Sequence, residues 1–154
     1  MKVIFLDVDG VLNCISSKSK CGAFVGVDGK RVKLLRQIVE ETGAVIVLSS
    51  TWKDGWERVD KEYQDSSADY LDRKLKREML RIFDKTRDEG ENRGEGILRW
   101  MKNREIEKFI ILDDNDYDFA EQGLSPYHIK TEFYNENGGL SDEHVTLAIE
   151  KLNN

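Results

Sequence analysis

Three apolar segments that end on polar side chains constrain the fold of this chain more than any other feature. Residues 2–8, 44–48 and 108–114 are rich in Val, Ile and Leu, which is typical of strands buried on both faces of a parallel sheet. Segments with the helical spacing of apolar residues occupy 30–42, 96–103 and 138–152. The alternation of strands and helices predicts an α/β fold, a Rossmann-like three-layer sandwich with a central parallel sheet.

The remaining segments have weaker patterns. Residues 10–29 contain several glycines and predict a loop or short hairpin, and 127–131 predict a short strand after Pro126. The charged segment 70–83, "YLDRKLKREMLRIF", predicts a helix, although its end overlaps "RIFDKT" at 81–86, which is alternatively a short strand. Ser141 is expected to cap the last helix.

Composition limits the class of protein. The chain has 154 residues, enough for one domain, and its net charge of −6 argues against a general nucleic-acid footprint while leaving room for a local basic patch. Asp7 and Asp9 interrupt any N-terminal signal, and no apolar run is long enough to span a membrane, so we expect a cytoplasmic protein. Cys14 and Cys21 are expected to be free thiols, and nothing in the sequence indicates an obligate protein partner.

The polar residues at the strand ends predict a site. Carboxyl ends of parallel strands face one crevice, where ligands bind in such sheets. Carboxylates collected there repel one another unless a cation neutralises them, and ligands that are all oxygen favour Mg²⁺. Alternatively, Asp7 and Asp9 are turn residues, since "DG" is a common turn dipeptide. The polar residues that follow the three strands are Asp7 and Asp9, Ser49 and Ser50, and Asp113 and Asp114.

These endings resemble the motifs of a known superfamily. "DVDGVLN" at 7–13, "VIVLSS" at 45–50 and "IILDDNDYD" at 110–118 resemble the first, second and fourth motifs of the haloacid dehalogenase (HAD) superfamily. The end of the chain, 130–152, is similar to small phosphatase-like members, including those found with RNA-repair enzymes. The resemblance implies a single HAD-like phosphatase domain over 1–154, without a large cap and with room for a small helical lid within 52–92.

The resemblance also implies roles for the acids. Asp7 would be the nucleophile that forms an aspartyl phosphate, and Asp9 would be the general acid and then the general base. Mg²⁺ would be held by Asp7, the backbone carbonyl of Asp9 and Asp114, with Asp113 as the alternative to Asp114. Asp9 distinguishes phosphoryl transfer from dehalogenation, because dehalogenating members lack this second acid.

The same resemblance implies the phosphate ligands. Ser49 would donate a hydrogen bond to the phosphate, with Ser50 as the alternative. The third motif is a single basic residue, and Arg93 fits it, with Lys85 and Lys102 as rivals. That residue would balance the charge of the nucleophile and of the transferred group.

The sequence therefore predicts a Mg²⁺-dependent phosphomonoester hydrolase. A poorly covered site can admit the end of a large substrate as well as a small molecule. The basic residues that run from Arg73 to Arg87 could contact a phosphodiester backbone, which favours a nucleotide or a polynucleotide end as substrate. Acidic neighbours could instead neutralise that run on a solvated helix. Two alternatives are a phosphate- and Mg²⁺-binding regulatory module without turnover and a phosphatase of small sugar phosphates.

Several other residues have expected roles outside the chemistry. Trp52 is expected to belong to the core, and Asp118 to cap a helix. Lys53 is either a surface residue or a substrate contact. His128 and His144 are expected to have no catalytic role.

Overall fold

The predicted strands form one parallel sheet. The computed structural model describes residues 1–88 and 91–154. The strands of the described residues are β1 (Lys2–Leu6), β2 (Lys20–Cys21), β3 (Phe24–Val25), β4 (Val45–Leu48), β5 (Ile82–Lys85), β6 (Lys108–Asp113) and β7 (His128–Lys130). Within those residues, five strands form a sheet in the order β5–β4–β1–β6–β7, and each neighbouring pair is parallel. The first strand thus lies at the centre, with its carboxyl end between those of β4 and β6.

Helices cover both faces of this sheet, as the α/β prediction requires. The helices are α1 (Gly29–Thr42), α2 (Ser66–Lys76), α3 (Arg93–Met101) and α4 (Asp142–Asn153). Alternate residues of β1 point to opposite faces: Ile4 packs in the core beneath α1, α2 and α4, whereas Phe5 packs with Trp100 of α3. Both residues are completely buried, which explains why the strand is apolar without interruption.

The helix ends follow their sequence signals. Gly43 adopts a left-handed conformation after α1, with φ of 72°, and its N–H donates to the Val39 carbonyl. The Ser141 side chain accepts a hydrogen bond from the backbone N–H of His144, so the predicted cap of α4 is confirmed. The third helix begins at Arg93, three residues before the predicted start, and this extension brings Arg93 to the carboxyl edge of the sheet.

The predicted helix over 70–83 is wrong beyond Lys76. There α2 ends, and Met79 takes a positive φ of 59° in the turn that follows. Ile82 then pairs with Ile46, so the alternative interpretation of 81–86 as a strand is correct, although β5 covers only Ile82–Lys85. The helix-forming side chains of this segment favour a helix locally, but pairing along the edge of β4 buries Ile82.

The loop predicted over 10–29 contains the antiparallel hairpin of β2 and β3. Cys14 is buried and Cys21 is half-buried, and both are free thiols, as expected. Among the helices of residues 1–88 and 91–154, none has both the length and the apolar character needed to cross a membrane.

Candidate active site at the carboxyl edge of the sheet

The backbone of the sheet fixes the first candidate residues. Asp7 directly follows β1, and its N–H donates to the Leu112 carbonyl of β6 at 2.9 Å. On the other side, the Ser49 N–H donates to the Leu6 carbonyl, also at 2.9 Å. The parallel ladders therefore continue one residue past the strands. Asp7 and Ser49 are held at the same edge by backbone hydrogen bonds rather than by a mobile loop.

Three carboxylates meet at this edge. One oxygen from each of Asp7, Asp113 and Asp114 lies within 4.8 Å of the others. Asp7 is 5% exposed, Asp113 is fully buried and Asp114 is half-buried. A set of carboxylate oxygens at this spacing fits a hard divalent cation such as Mg²⁺, so the residues present suit the predicted metal. Both aspartates of the fourth motif, Asp113 and Asp114, therefore belong to the cluster.

Gly10 permits this cluster. Its φ is +86°, and a Cβ atom built there would lie 2.5 Å from the side chain of Asp114. Any other residue would both strain the backbone and displace that carboxylate. The Gly of the "DG" pair therefore makes a close turn, and it also gives Asp114 its room beside Asp7.

Of the three predicted basic residues, Arg93 lies closest to Asp7 at the carboxyl edge of the sheet. Its Nη1 lies 2.7 Å from Asp113 Oδ2 and 3.3 Å from Asp7 Oδ1, and its guanidinium stacks 4.2 Å above the Tyr117 ring. Lys85 instead donates to two backbone carbonyls, and Lys102 is exposed at the opposite end of α3. The geometry thus brings Arg93, and neither rival, to Asp7.

Burial and charge shift the pKa values of this cluster. Burial raises the pKa of Asp7 well above its usual value, and the Asp113 carboxylate raises it further, while Arg93 opposes both. Burial likewise raises the pKa of Asp113 against the lowering effect of Arg93. Burial alone would lower the pKa of Arg93, but the charges of Asp7 and Asp113 raise it. The Arg93 guanidinium therefore pairs with two of the three carboxylates, and the remaining negative charge of the cluster favours a bound cation.

Asp9 points elsewhere. Its Oδ1 accepts a hydrogen bond from Asn13 Nδ2 at 2.9 Å, and its Oδ2 accepts one from Trp52 Nε1 at 3.0 Å. Its side chain does not belong to the cluster of Asp7, Asp113 and Asp114. Sequence reasoning missed both donors. Trp52 packs against the core, as expected, and the signal for its contact with Asp9 is its position just past the second motif.

The two serines differ in their partners. Ser50 Oγ accepts a hydrogen bond from the Trp52 backbone N–H at 3.2 Å and so caps a short 3₁₀ helix, Thr51–Gly55. Ser49 Oγ is buried and has no hydrogen-bond partner among residues 1–88 and 91–154. A buried hydroxyl without a partner costs free energy. The Ser49 hydroxyl is therefore available to donate a hydrogen bond to a phosphate oxygen.

Comparison with known families identifies the chain. A family model described as the HAD domain in Swiss Army Knife RNA repair proteins matches residues 3–145. The chain belongs to this family. Comparison with curated proteins and with solved structures gives no match. The predicted membership of the HAD superfamily and the HAD-like parallel sheet without a large cap are thereby confirmed.

Other residues near the edge of this HAD domain have structural partners. Lys53 is buried rather than exposed, and its Nζ lies 3.2 Å from Asp88 Oδ1. Asp118 accepts hydrogen bonds from the N–H groups of Gly94 and Glu95, so it caps α3 as expected. These contacts hold the turns around the site.

The basic run from Arg73 to Arg87 is divided by the fold. Its first part lies on α2, which leads into the start of β5 and therefore lies toward the amino edge of the sheet. Lys85 and Arg87 lie at the other end of β5, beside the candidate site: the intervening residue, Thr86, donates its N–H to the Leu48 carbonyl. The run as a whole therefore does not face one substrate.

Proposed function

We propose that this HAD domain is a Mg²⁺-dependent phosphomonoesterase that works through an aspartyl phosphate on Asp7. The observation that carries the proposal is the position of the Asp7 carboxylate. It lies at the end of the central strand, beside a buried arginine and within a carboxylate cluster that suits a divalent cation. HAD families are typically phosphohydrolases, which supports this assignment.

In the first half of the reaction, an oxygen of Asp7 attacks the phosphorus atom. The new bond joins Asp7 to phosphorus, and the bond from phosphorus to the ester oxygen breaks. Asp9 gives its proton to the departing ester oxygen, which leaves as an alcohol. Arg93 and the free hydroxyl of Ser49 stabilise the charge on the transferred group.

In the second half, water attacks the phosphorus atom and Asp9 takes up its proton. The bond to Asp7 breaks, phosphate leaves and the carboxylate is restored. Asp7, Asp113 and Asp114 would hold Mg²⁺, which supplies charge neutralisation for the phosphate oxygens. The hydrogen bonds from Asn13 and Trp52 fix Asp9 to one side of Asp7, which suits a residue that exchanges protons with the leaving group.

Cover over the site is expected to be small. Within 52–88, α2 and β5 are built into the core and the sheet, and residues 89–90 of the predicted lid range lie outside the described residues. We propose that 52–65 and the hairpin of β2 and β3 form the rim of a single domain, with no larger lid among the described residues.

The substrate that we propose is a nucleotide or a polynucleotide end. The description of the matched family, which names RNA repair proteins, supports it. A basic cleft gives independent support: a cavity of about 520 Å³ lies between α3 and residues 56–60, along β5. Its lining has five basic side chains, Arg58, Lys85, Arg87, Arg99 and Arg104, and three acidic ones, Glu57, Asp60 and Asp84, so the basic residues are in excess.

Charge in this cleft is only partly neutralised. Arg99 pairs with Glu95, and Arg104 lies 3.7 Å from Asp84. In the part of the chain that the structure describes, no carboxylate pairs with Arg58, Lys85 or Arg87. The Lys85 ammonium is held by two backbone carbonyls, so among the described residues the cleft charge without such partners is that of Arg58 and Arg87. On a protein of net charge −6, this charge suits a phosphodiester backbone better than a sugar phosphate.

Trapping the phosphorylated protein tests the chemistry. The Asp9→Asn variant lacks the base for the second half, so incubation with a ³²P-labelled aryl phosphate, whose leaving group departs without a donated proton, and Mg²⁺ should leave label on the protein. Hydroxylamine should release it, because it cleaves acyl phosphates. Asp7→Asn is the matched control and should take up no label. Label on Asp7→Asn would overturn the assignment of the nucleophile, and no turnover by the parent on any ester would favour the regulatory module.

Competition between substrates tests the preference. An RNA with a 3′- or 5′-terminal phosphate should exceed glucose 6-phosphate in kcat/KM by at least about tenfold. The advantage should shrink as salt rises, because counterions compete for the cleft. If the sugar phosphate is preferred, the nucleic-acid substrate is wrong while the phosphatase assignment stands.

A further inference from the structure

A second cavity opens beside Asp9 and is not needed for the transfer of the phosphoryl group. Its volume is about 320 Å³, near the lower end of the roughly 300–1,000 Å³ of small-molecule sites. The β2–β3 hairpin forms one wall, and the Thr51–Gly55 helix with the start of α2 forms the other. Asp9 is part of the lining, so whatever occupies this cavity lies against the proposed acid.

Aromatic rings flank the cavity. Phe24, on the hairpin, lines the cavity and is 76% exposed. Trp52 is half-buried, with its ring 6.4 Å from that of Tyr70 and its N–H on Asp9. Trp52 is thus fixed in place, whereas Phe24 offers a free face for stacking against a planar group.

The charges of the lining exclude one kind of occupant. Asp9, Asp54 and Asp65 contribute carboxylates, and the lining includes neither lysine nor arginine among the described residues. A phosphate group would be repelled there. A planar ring with N–H groups at its edge would instead stack on Phe24 and donate to a carboxylate, as an unpaired nucleobase can.

We propose that this cavity binds the base of the nucleotide that carries the scissile phosphate, with Phe24 stacked on that base. The inference rests on the proposed function, since it takes the leaving group to depart toward Asp9. It names Phe24 as a specificity residue and an unpaired terminal nucleotide as the substrate unit.

The hairpin is tied to Asp9, which supports a coupled arrangement. Asn13 Nδ2 donates both to Asp9 Oδ1 and, at 2.8 Å, to the Gly26 carbonyl at the base of the hairpin. The Val27 N–H donates to the Tyr70 hydroxyl at 3.0 Å. A base held by Phe24 therefore has a defined position relative to the acid that protonates its nucleoside.

Removing the base from the substrate tests the proposal. The substrates are a short RNA with a terminal phosphate, at either end, and the same RNA whose terminal nucleotide is abasic. Stacking of one base on an aromatic side chain is worth about 5- to 150-fold by substitution, so the abasic RNA should lose at least about fivefold in kcat/KM with the parent. In Phe24→Ala, the ratio between the two substrates should fall to about two or less.

Tyr134→Ala is the matched control. Tyr134 is also an exposed aromatic residue, at 86%, but it does not line the cavity. This variant should keep the ratio of the parent. Equal hydrolysis of both RNAs by the parent would overturn the proposal, as would a loss in Phe24→Ala that is the same for both.

Binding of adenosine separates this inference from the proposed function. Calorimetry should detect binding of adenosine, which has no phosphate, to the parent and at least about fivefold weaker binding to Phe24→Ala, while ribose should not bind. If the protein binds adenosine but hydrolyses no phosphomonoester, the proposed base site stands and the proposed phosphatase activity is wrong. Hydrolysis without adenosine binding or base preference would do the reverse.

Discussion

Replacing Arg93 by Met should lower the stability of the protein, because Arg93 lies between the buried carboxylates of the candidate site. The guanidinium is 3% exposed, and it neutralises the Asp113 and Asp7 carboxylates at 2.7 and 3.3 Å. Methionine keeps much of the apolar stem but leaves two buried carboxylates without their cation. Removing one partner of a buried ion pair costs about 3–5 kcal/mol. For a domain of this size, each kcal/mol lowers Tm by about 2–4 °C, so we expect a loss of about 6–20 °C.

The loss of stability in Arg93→Met should depend on pH. Burial already raises the pKa values of Asp7 and Asp113, and loss of the Arg93 charge raises them further. A carboxyl whose pKa is higher in the folded state loses stabilisation as pH rises from its unfolded value of about 4 to its folded value. The cost of Arg93→Met should therefore be small near that lower limit and largest at about pH 8, where both carboxylates must ionise.

Thermal and urea unfolding without metal, at about pH 5 and about pH 8, measure this effect. Arg99→Met is the control on the same helix, because Arg99 forms an exposed pair with Glu95 at 2.9 Å. That pair should be worth less than about 1 kcal/mol at either pH. A loss for Arg93→Met no larger than that of Arg99→Met, or one equal at both pH values, would refute the reasoning.

The remaining predictions concern the cluster. Asp7→Asn should keep the fold and abolish phosphate release from p-nitrophenyl phosphate, and activity within about tenfold of the parent would contradict its role as nucleophile. Mg²⁺ at about 100 times its Kd should stabilise the parent by about 2.7 kcal/mol in thermal unfolding, and this gain should shrink in Asp114→Asn; an unchanged Tm would argue against a metal site. A chelator should abolish turnover, and Ca²⁺ should restore it poorly because it prefers more ligands. Gly10→Ala should weaken Mg²⁺ binding in calorimetry by displacing Asp114, whereas Gly43→Ala, also at positive φ but with open space around it, should cost stability alone.

The sequence predicted the residues at the carboxyl ends of the strands better than those in the loops around them. Apolar strands identify themselves by continuous burial, and parallel pairing brings their ends together, so Asp7, Ser49 and Asp113 could be grouped without a structure. Arg93 was also found, because the spacing of the motifs points to the start of a helix. These predictions depend on regular elements, whose geometry follows from local pattern.

The residues around Asp9 could not be predicted for the opposite reason. Trp52 and Asn13 reach Asp9 from irregular turns, and a tryptophan is compatible with many environments. The end of α2 was missed because Arg77 and Met79 are acceptable in a helix. Only the pairing of β5 with β4, a contact distant in the chain, decides that the helix stops.

The backbone hydrogen bond from Asp7 to Leu112 also has a kinetic consequence. An amide in the central ladder exchanges its hydrogen with solvent only when the whole sheet opens, whereas the hairpin, with two residues in each strand, can open by itself. We expect the Asp7 amide to be among the slowest to exchange and the Phe24 amide among the fastest. In mild denaturant, the hairpin should therefore open before the sheet does. The proposed preference for a substrate with a terminal base should then disappear at a lower denaturant concentration than the proposed hydrolysis.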